Sequence, residues 1–533
     1  MTKTSTSTKR VPAGNGEPVL VKNFRAARRA GVPLLGIASP DQAETVRVLS
    51  LALQQEKGAD AEPRPVVEWD AVRGLRARIG NVPADNMLRK LSIDPMSTRE
   101  PERALVAAER FDANSVLFMM NATMFMEKDL PMRQALWNLR DPYKLNARTV
   151  VAMGPSMAHL PIEIQRDLIV LDEPLPIGEE LAAIIVKQFK NAGIEDKLTD
   201  AALARAVDAV AGLHAFAVEQ VVAMSMRAPS NDYPEGLDFD RLWSFKIDII
   251  EQTDGLTVWR DVESFDAIGG NEQAKTFFRQ MAQNGDFRLV WWIDEIEKAI
   301  AAMHSDTSGV TQDQHQVLLT VLQDEKIPAV LLIGQPGSGK SAVAKALGRE
   351  CGGITVRSDI GETKGSLVGE SEHKIRAMVK TLLAMGQGRI LLVATCNDVG
   401  ALEKSPELMR RFKLPKFYFD LPSKAERNVI WTIKGQAFGV DVNGRTVNDE
   451  GWTGAEIEAC CETASRLKVS VDVAQQWIIP MVQSSPEIVA ERRRAAHRRY
   501  LSSSSPGVYI DPAQASSEPV ASPAHGRAIR LES

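Results

Sequence analysis

The stretch GQPGSGKS, Gly334–Ser341, follows the apolar run AVLLIG (329–334) and leads into the helical pattern SAVAKALGREC (341–351). A strand, a glycine-rich loop and a helix in that order make a phosphate cradle. The glycines let backbone N–H groups converge, and the helix N-terminus adds positive potential where the phosphates sit. The spacing is that of the GxxxxGK[ST] phosphate loop. Candidate nucleotide contacts are therefore Gly334, Gln335, Pro336, Gly337, Ser338, Gly339, Lys340, Ser341 and Ala342. Lys340 would reach the β- and γ-phosphates, and the Ser341 hydroxyl would hold Mg²⁺.

Outward from this loop, four more β-type runs flank it: RLVWWID (288–294), GITVRSD (353–359), RILLVATC (389–396) and KFYFDLP (416–422). Separated by helical stretches, they predict a parallel sheet covered by helices. The first run ends in two carboxylates. At the carboxyl end of a parallel strand Asp294 would join the Mg²⁺ shell, and Glu295 would orient and deprotonate a water attacking the γ-phosphate. Acidic residues also favour a helix's first turn without any such role. Asn397, just past RILLVATC, suits a hydrogen bond to that water or to the γ-phosphate, although a turn-forming Asn would look the same. Arg410 and Arg411 precede the last run. Either would complete a neighbouring subunit's site, or both would be solvated surface residues.

Composition narrows the alternatives. With 533 residues, 44% hydrophobic and 25% charged, the chain has ordinary globular balance and length for about three domains. Sixty-four Lys and Arg against 69 Asp and Glu leave a net charge of −5, so polyanion binding is not the main driving force. The four cysteines (Cys351, Cys396, Cys460, Cys461) show no CxxC spacing, and the seven histidines form no HExxH. A zinc site or a disulfide framework is not expected. No apolar run spans a bilayer, and Met1 to Pro18 lacks a signal peptide's apolar core, which predicts a soluble protein in a reducing, cytoplasmic compartment.

The expected organisation is a disordered tail over 1–30, a degenerate α/β domain over 31–190, and a helical subdomain and connector over 191–257. An α/β ATPase core over 258–422 follows, then a helical lid over 423–483 and a disordered Ser/Pro/Ala-rich tail over 484–533. The first α/β domain has SPDQAE (39–44) where a phosphate loop would sit, and VLFMMNATMF ends near Asn121 without an acidic pair, so a second active site is not expected there. The basic run RRRAAHRRY (492–500) would attract nucleic acid only weakly, and a short solvated tail is the simpler reading.

Five phrases co-occur between about Phe265 and Arg466: FDAIGG, IDEIEK, GQPGSGKS, SLVGESE with LVATCND, and WTGAEIE. Together they resemble the AAA+ ATPases, a P-loop NTPase class. Within that class the chain is similar to the plastid and cyanobacterial type with a degenerate AAA-like N-terminal half, and to its phage-borne relatives. The resemblance implies Lys340 and Ser341 as Walker A, Asp294 and Glu295 as Walker B, Asn397 as sensor 1, and Arg410 or Arg411 as an arginine finger. It implies that the backbone at Ile268 and Gly269 borders the adenine, that ATP and Mg²⁺ are the cofactors, and that the chain forms a homo-oligomeric ring, a hexamer. A ring of this class would remodel a protein substrate; a nucleotide-gated scaffold and a nucleic-acid motor are the alternative readings.

The chain departs from that family in three ways. The finger arginines are adjacent, with shorter spacing than usual. The central-pore position is Leu367, after Lys364 and before Val368, rather than an aromatic residue. Most consequentially, the Walker B run precedes the Walker A run. If the family's five-stranded order is 5-1-4-3-2, the strands here arrive as 3, 1, 2, 4, 5. Both displaced crossovers keep their original direction and do not cross, so right-handed connections leave every helix on its usual face. An intact site at the strand ends is the expectation.

Overall fold

The apolar run LLGIA, Leu34–Ala38, is β1 of a six-stranded sheet in the computed structural model, which describes residues 18–55, 64–157, 160–260, 264–285, 287–298, 326–359, 370–400 and 406–515. Its companions are β2 (Val66–Asp70), β3 (Gly74–Ala77), β4 (Val116–Met119), β5 (Thr149–Gly154) and β6 (Ile169–Asp172), in the order β3-β2-β4-β5-β1-β6. All pair in parallel except the β2–β3 hairpin. The sheet belongs to one of two compact units, Met1–Gly193 with His214–Ala223; Ile194–Leu213 and Met224–Ser533 form the other. The expected helical connector over 191–257 is thereby divided between the two.

The expected tail over 1–30 is corrected from residue 19 onward. Val19–Arg29 is a helix whose Leu20, Val21, Phe24 and Ala27 are buried on one face. That three-and-four spacing was masked by the polar residues before it. In the same unit, Asn121 beyond β4 is tied to Gln42 at the start of the helix Gln42–Gln55. The Gln42 amide donates to Asn121 Oδ1 (2.7 Å), and the Asn121 N–H donates to Gln42 Oε1 (2.8 Å). Side-chain pairing thus occupies the place where a phosphate loop would face an acidic strand end.

The second unit carries β7 (Leu256–Trp259), β8 (Leu289–Ile293), β9 (Ala329–Gly334), β10 (Ile354–Ser358), β11 (Ile390–Cys396), β12 (Lys416–Phe419) and β13 (Leu501–Ser502). Their order is β13-β12-β9-β11-β8-β10-β7. The inner five are parallel and reproduce the 5-1-4-3-2 arrangement despite the changed order along the chain. The sheet has seven strands rather than the expected five, because β7 pairs antiparallel with β10 at one edge and β13 pairs parallel with β12 at the other. β8, β9 and β11 are buried along their whole length, as central parallel strands require. Alternation along β8 sends Trp291 and Trp292 to opposite faces. Trp291 Nε1 donates to Ser358 Oγ (2.7 Å), while Trp292 meets Trp259 edge-on at 6.1 Å, a pair adding about 0.5–1.5 kcal/mol beyond its burial.

The expected disordered tail over 484–533 is also corrected over 484–515, while 516–533 lie outside the described residues. Pro486–Ala496 is a helix, β13 extends the sheet, and Tyr509 packs on Tyr418 with ring centroids 4.4 Å apart. Val489, Ala496, Tyr500 and Tyr509 are buried, too widely spaced among Ser, Pro and Arg for composition to reveal them. The pore-position residues Lys364, Leu367 and Val368 lie outside the described residues. Among the described residues no helix is long and apolar enough to cross a membrane, and no cluster of three or more His, Cys, Asp or Glu is placed to hold a metal.

Lys246, on the helix Phe239–Glu251, is buried and donates to the carbonyls of Asp208 and Met385, each at 2.9 Å. Burial lowers its pKa to about 7. A lysine depressed in the folded state binds fewer protons there than when unfolded, so stability rises with pH between about 7 and the usual lysine range, by at most about 1.4 kcal/mol per pH unit. Chemical denaturation from pH 7 to 9 should show that rise in the wild-type chain and a flatter profile in Lys246→Met.

Candidate functional site

The carboxyl ends of β8, β9 and β11 converge on one cavity of about 420 Å³. From β9 comes the loop, whose first residue tolerates only glycine. Gly334 has φ 149°, and a Cβ there would lie 2.0 Å from the Phe419 carbonyl. Gly337 and Gly339 turn the loop through positive φ, and Lys340 opens the helix Lys340–Glu350. Pro336, Gly337, Ser338, Gly339, Lys340, Ser341 and Ala342, all candidate nucleotide contacts, line the cavity. Gly334 and Gln335 lie behind it. The Gln335 side chain is fully buried and donates to Tyr418 Oη (3.1 Å) and the Val489 carbonyl (3.3 Å). Lys340 donates to the carbonyls of Gly334 (3.1 Å) and Gln335 (2.7 Å), and burial lowers its pKa to about 8.

From β8 come the carboxylates. Asp294 Oδ1 accepts from Ser341 Oγ (3.0 Å) and from Thr395 Oγ1 (2.7 Å), so the displaced strand and the phosphate loop do meet. Both oxygens belong to hard donors suited to Mg²⁺, which typically takes one or two protein ligands and fills its octahedron from phosphate and water. Glu295 leaves the strand with φ 50°, its N–H held by Thr395 Oγ1 (3.0 Å). That turn brings its carboxylate to Asn397, whose Nδ2 donates to Glu295 Oε1 at 3.0 Å; the other Glu295 oxygen pairs with Lys298. Glu297 Oε1 accepts the Asn397 N–H (3.0 Å) and so fixes the start of the turn carrying that amide.

Ile268 and Gly269 form another wall, opposite the helix Lys424–Phe438. A Cβ on Gly269 would come within 2.6 Å of Ile430 Cγ1, so this glycine allows the lid helix its close approach. Thr453 caps the helix Gly454–Leu467 with a reciprocal capping box, and the Ala455 N–H reaches the Gly337 carbonyl (3.3 Å). Arg410 and Arg411 end the helix Pro406–Arg411 outside this cavity, Arg410 exposed and Arg411 half-buried.

Two residues of the site escaped sequence reasoning. Thr395 is the polar residue inside the otherwise apolar RILLVATC; a buried hydroxyl in such a strand needs a partner, and that was its signal. Asn271, buried with φ 59°, donates from Nδ2 to the Ser338 carbonyl (3.1 Å). Its only sequence signal was its place directly after a glycine pair.

This arrangement has the geometry of a phosphate loop facing an acidic strand end, and parts of the chain match family models of the AAA type. Residues 330–394 match the ATPase family associated with various cellular activities (AAA), and residues 20–173 match the SpoVK-like AAA ATPase N-terminal domain. The AAA match begins in β9 and stops inside β11, leaving β8 outside because that strand comes before the phosphate loop here. The chain thus carries AAA ATPase domains and is homologous to the ycf46 AAA proteins of plastids. The uncharacterized AAA domain-containing protein ycf46 of Guillardia theta is 22% identical over 455 residues, covering 78% of this chain and 79% of that protein. Its namesake in Gracilaria tenuistipitata var. liui is 24% identical over 409 residues, covering 68% and 76%.

Proposed function

We propose that the chain binds and hydrolyses ATP with Mg²⁺ and assembles as a ring, a hexamer, that remodels a protein substrate. The observation that carries the catalytic part is Asp294 bonded to both Ser341 and Thr395, with Glu295 held on Asn397 beside them. Lys340 and the loop N–H groups bind the β- and γ-phosphates. Asp294 and Ser341 would hold Mg²⁺, which when bound neutralises developing phosphate charge. Glu295 takes the proton of the attacking water, Asn397 positions that water against the γ-phosphate, and the products are ADP and phosphate. Ile268 and Gly269 border the base.

The ring rests on the finger. Arg410 is exposed outside its own cavity, where an arginine serving a neighbour's site would have to be. Arg410→Ala should lower turnover about a thousandfold with ATP binding kept. Mixing it with Lys340→Ala should restore part of the rate at mixed boundaries, read by a phosphate-release assay; a mixture no faster than its parts would sink the assignment in trans. The nucleic-acid reading loses support, because Arg492 and Arg493 of the basic run turn inward, to Gln335 (3.3 Å) and Asp420 (2.8 Å).

A further inference from the structure

The segment Pro486–Ala515 does more than extend the sheet. Its helix reaches the phosphate loop directly, through Arg492 and the Val489 carbonyl on the Gln335 side chain. Beyond β13, the Ser503 N–H donates to the Tyr418 carbonyl (3.1 Å) and the Ser503 carbonyl accepts from the Ala274 N–H (3.0 Å). The buried Ser503 hydroxyl donates to Asn271 Oδ1 at 2.7 Å. Asn271 is therefore held on one side by Ser503 and holds the Ser338 carbonyl of the loop on the other. Its N–H donates to Glu426 Oε1 (3.2 Å) in the first turn of the lid helix. Ser504 lines the cavity and hydrogen-bonds Glu426, and Tyr509 Oη donates to Asp420 Oδ2 (2.9 Å), another cavity residue.

We propose that Pro486–Ala515 is a strap belonging to the nucleotide site, with Ser503 as a positioning residue that sets the phosphate loop and the lid through Asn271. The proposal deepens, and rests on, the reading of this cavity as an ATP site. Asn271 has a left-handed backbone, and among the described residues Ser503 is the side chain that holds its amide oxygen toward the strap. Once Ser503 fixes that oxygen, the amide nitrogen is committed to Ser338. By linkage, a nucleotide that favours the set loop also favours the docked strap.

The test uses the full chain and a fluorescent ATP analogue with Mg²⁺. Ser503→Ala should weaken binding about five- to tenfold, the worth of one buried hydrogen bond. Asn271→Ala should weaken it at least as much, and the double variant should be no weaker than Asn271→Ala alone. Tyr509→Phe, which keeps the ring on Tyr418, provides a second route to a loosened strap and should weaken binding two- to fivefold. Hydrogen exchange over 500–510 should slow when ATP is added to the wild type. Wild-type affinity in Ser503→Ala and Tyr509→Phe, or effects of Ser503→Ala and Asn271→Ala that multiply, would overturn the strap while leaving the ATP site intact. A wild-type chain binding no better than Lys340→Ala would overturn the ATP reading and the strap together.

Discussion

Lys340→Ala should bind ATP at least about a hundredfold more weakly than the wild type in an equilibrium titration, because it removes the loop ammonium proposed to meet the phosphates. The fold should survive the change. Burial lowers the Lys340 pKa to about 8, so the ammonium is held there at a cost and its removal relieves that cost. What is lost is two hydrogen bonds to the Gly334 and Gln335 carbonyls, which water can replace at the cavity floor. A melting temperature near wild type together with lost binding is the expected combination. Unchanged affinity would mean that the cavity takes its ligand some other way.

The second large effect falls on Glu295. Glu295→Gln keeps the side chain's length and its contact with Asn397 but cannot accept a proton, so turnover should fall about 10²- to 10⁴-fold while ATP binding holds. The separation of the two readouts matters. Asp294, not Glu295, is bonded to Ser341, so metal and phosphate binding should be spared. A phosphate-release assay showing wild-type turnover in Glu295→Gln would reject it as the base. ATP trapped without turnover would also make this variant the form in which to isolate a protein substrate.

Much of the second unit was legible. GQPGSGKS names a loop by chemistry that few other sequences satisfy, and all five runs flanking or following it became strands at the expected residues. Even the displaced β8 could be placed, since with the family's 5-1-4-3-2 order taken from the resemblance, strands arriving as 3, 1, 2, 4, 5 keep their crossovers right-handed and uncrossed. The N-terminal helix and the C-terminal strap were not legible. Both bury a few apolar residues within polar company, and composition averages over that distance. Gln335 shows the same limit at one residue: its place in the motif suggests a phosphate contact, while its side chain is turned behind the loop onto Tyr418 and Val489.

The amino-acid sequence by itself determined the phosphate loop and the acidic strand end, because backbone flexibility at glycine and strand periodicity are local properties of the chain; their neighbouring places in one sheet were an expectation from the family's strand order. Only the tertiary structure decided that Asp294 reaches Ser341, that Thr395 joins them, and that Ser503 sits on Asn271, 232 positions earlier. Those contacts depend on the register between strands far apart in sequence and on which side chains share one small buried volume, and no local pattern encodes either.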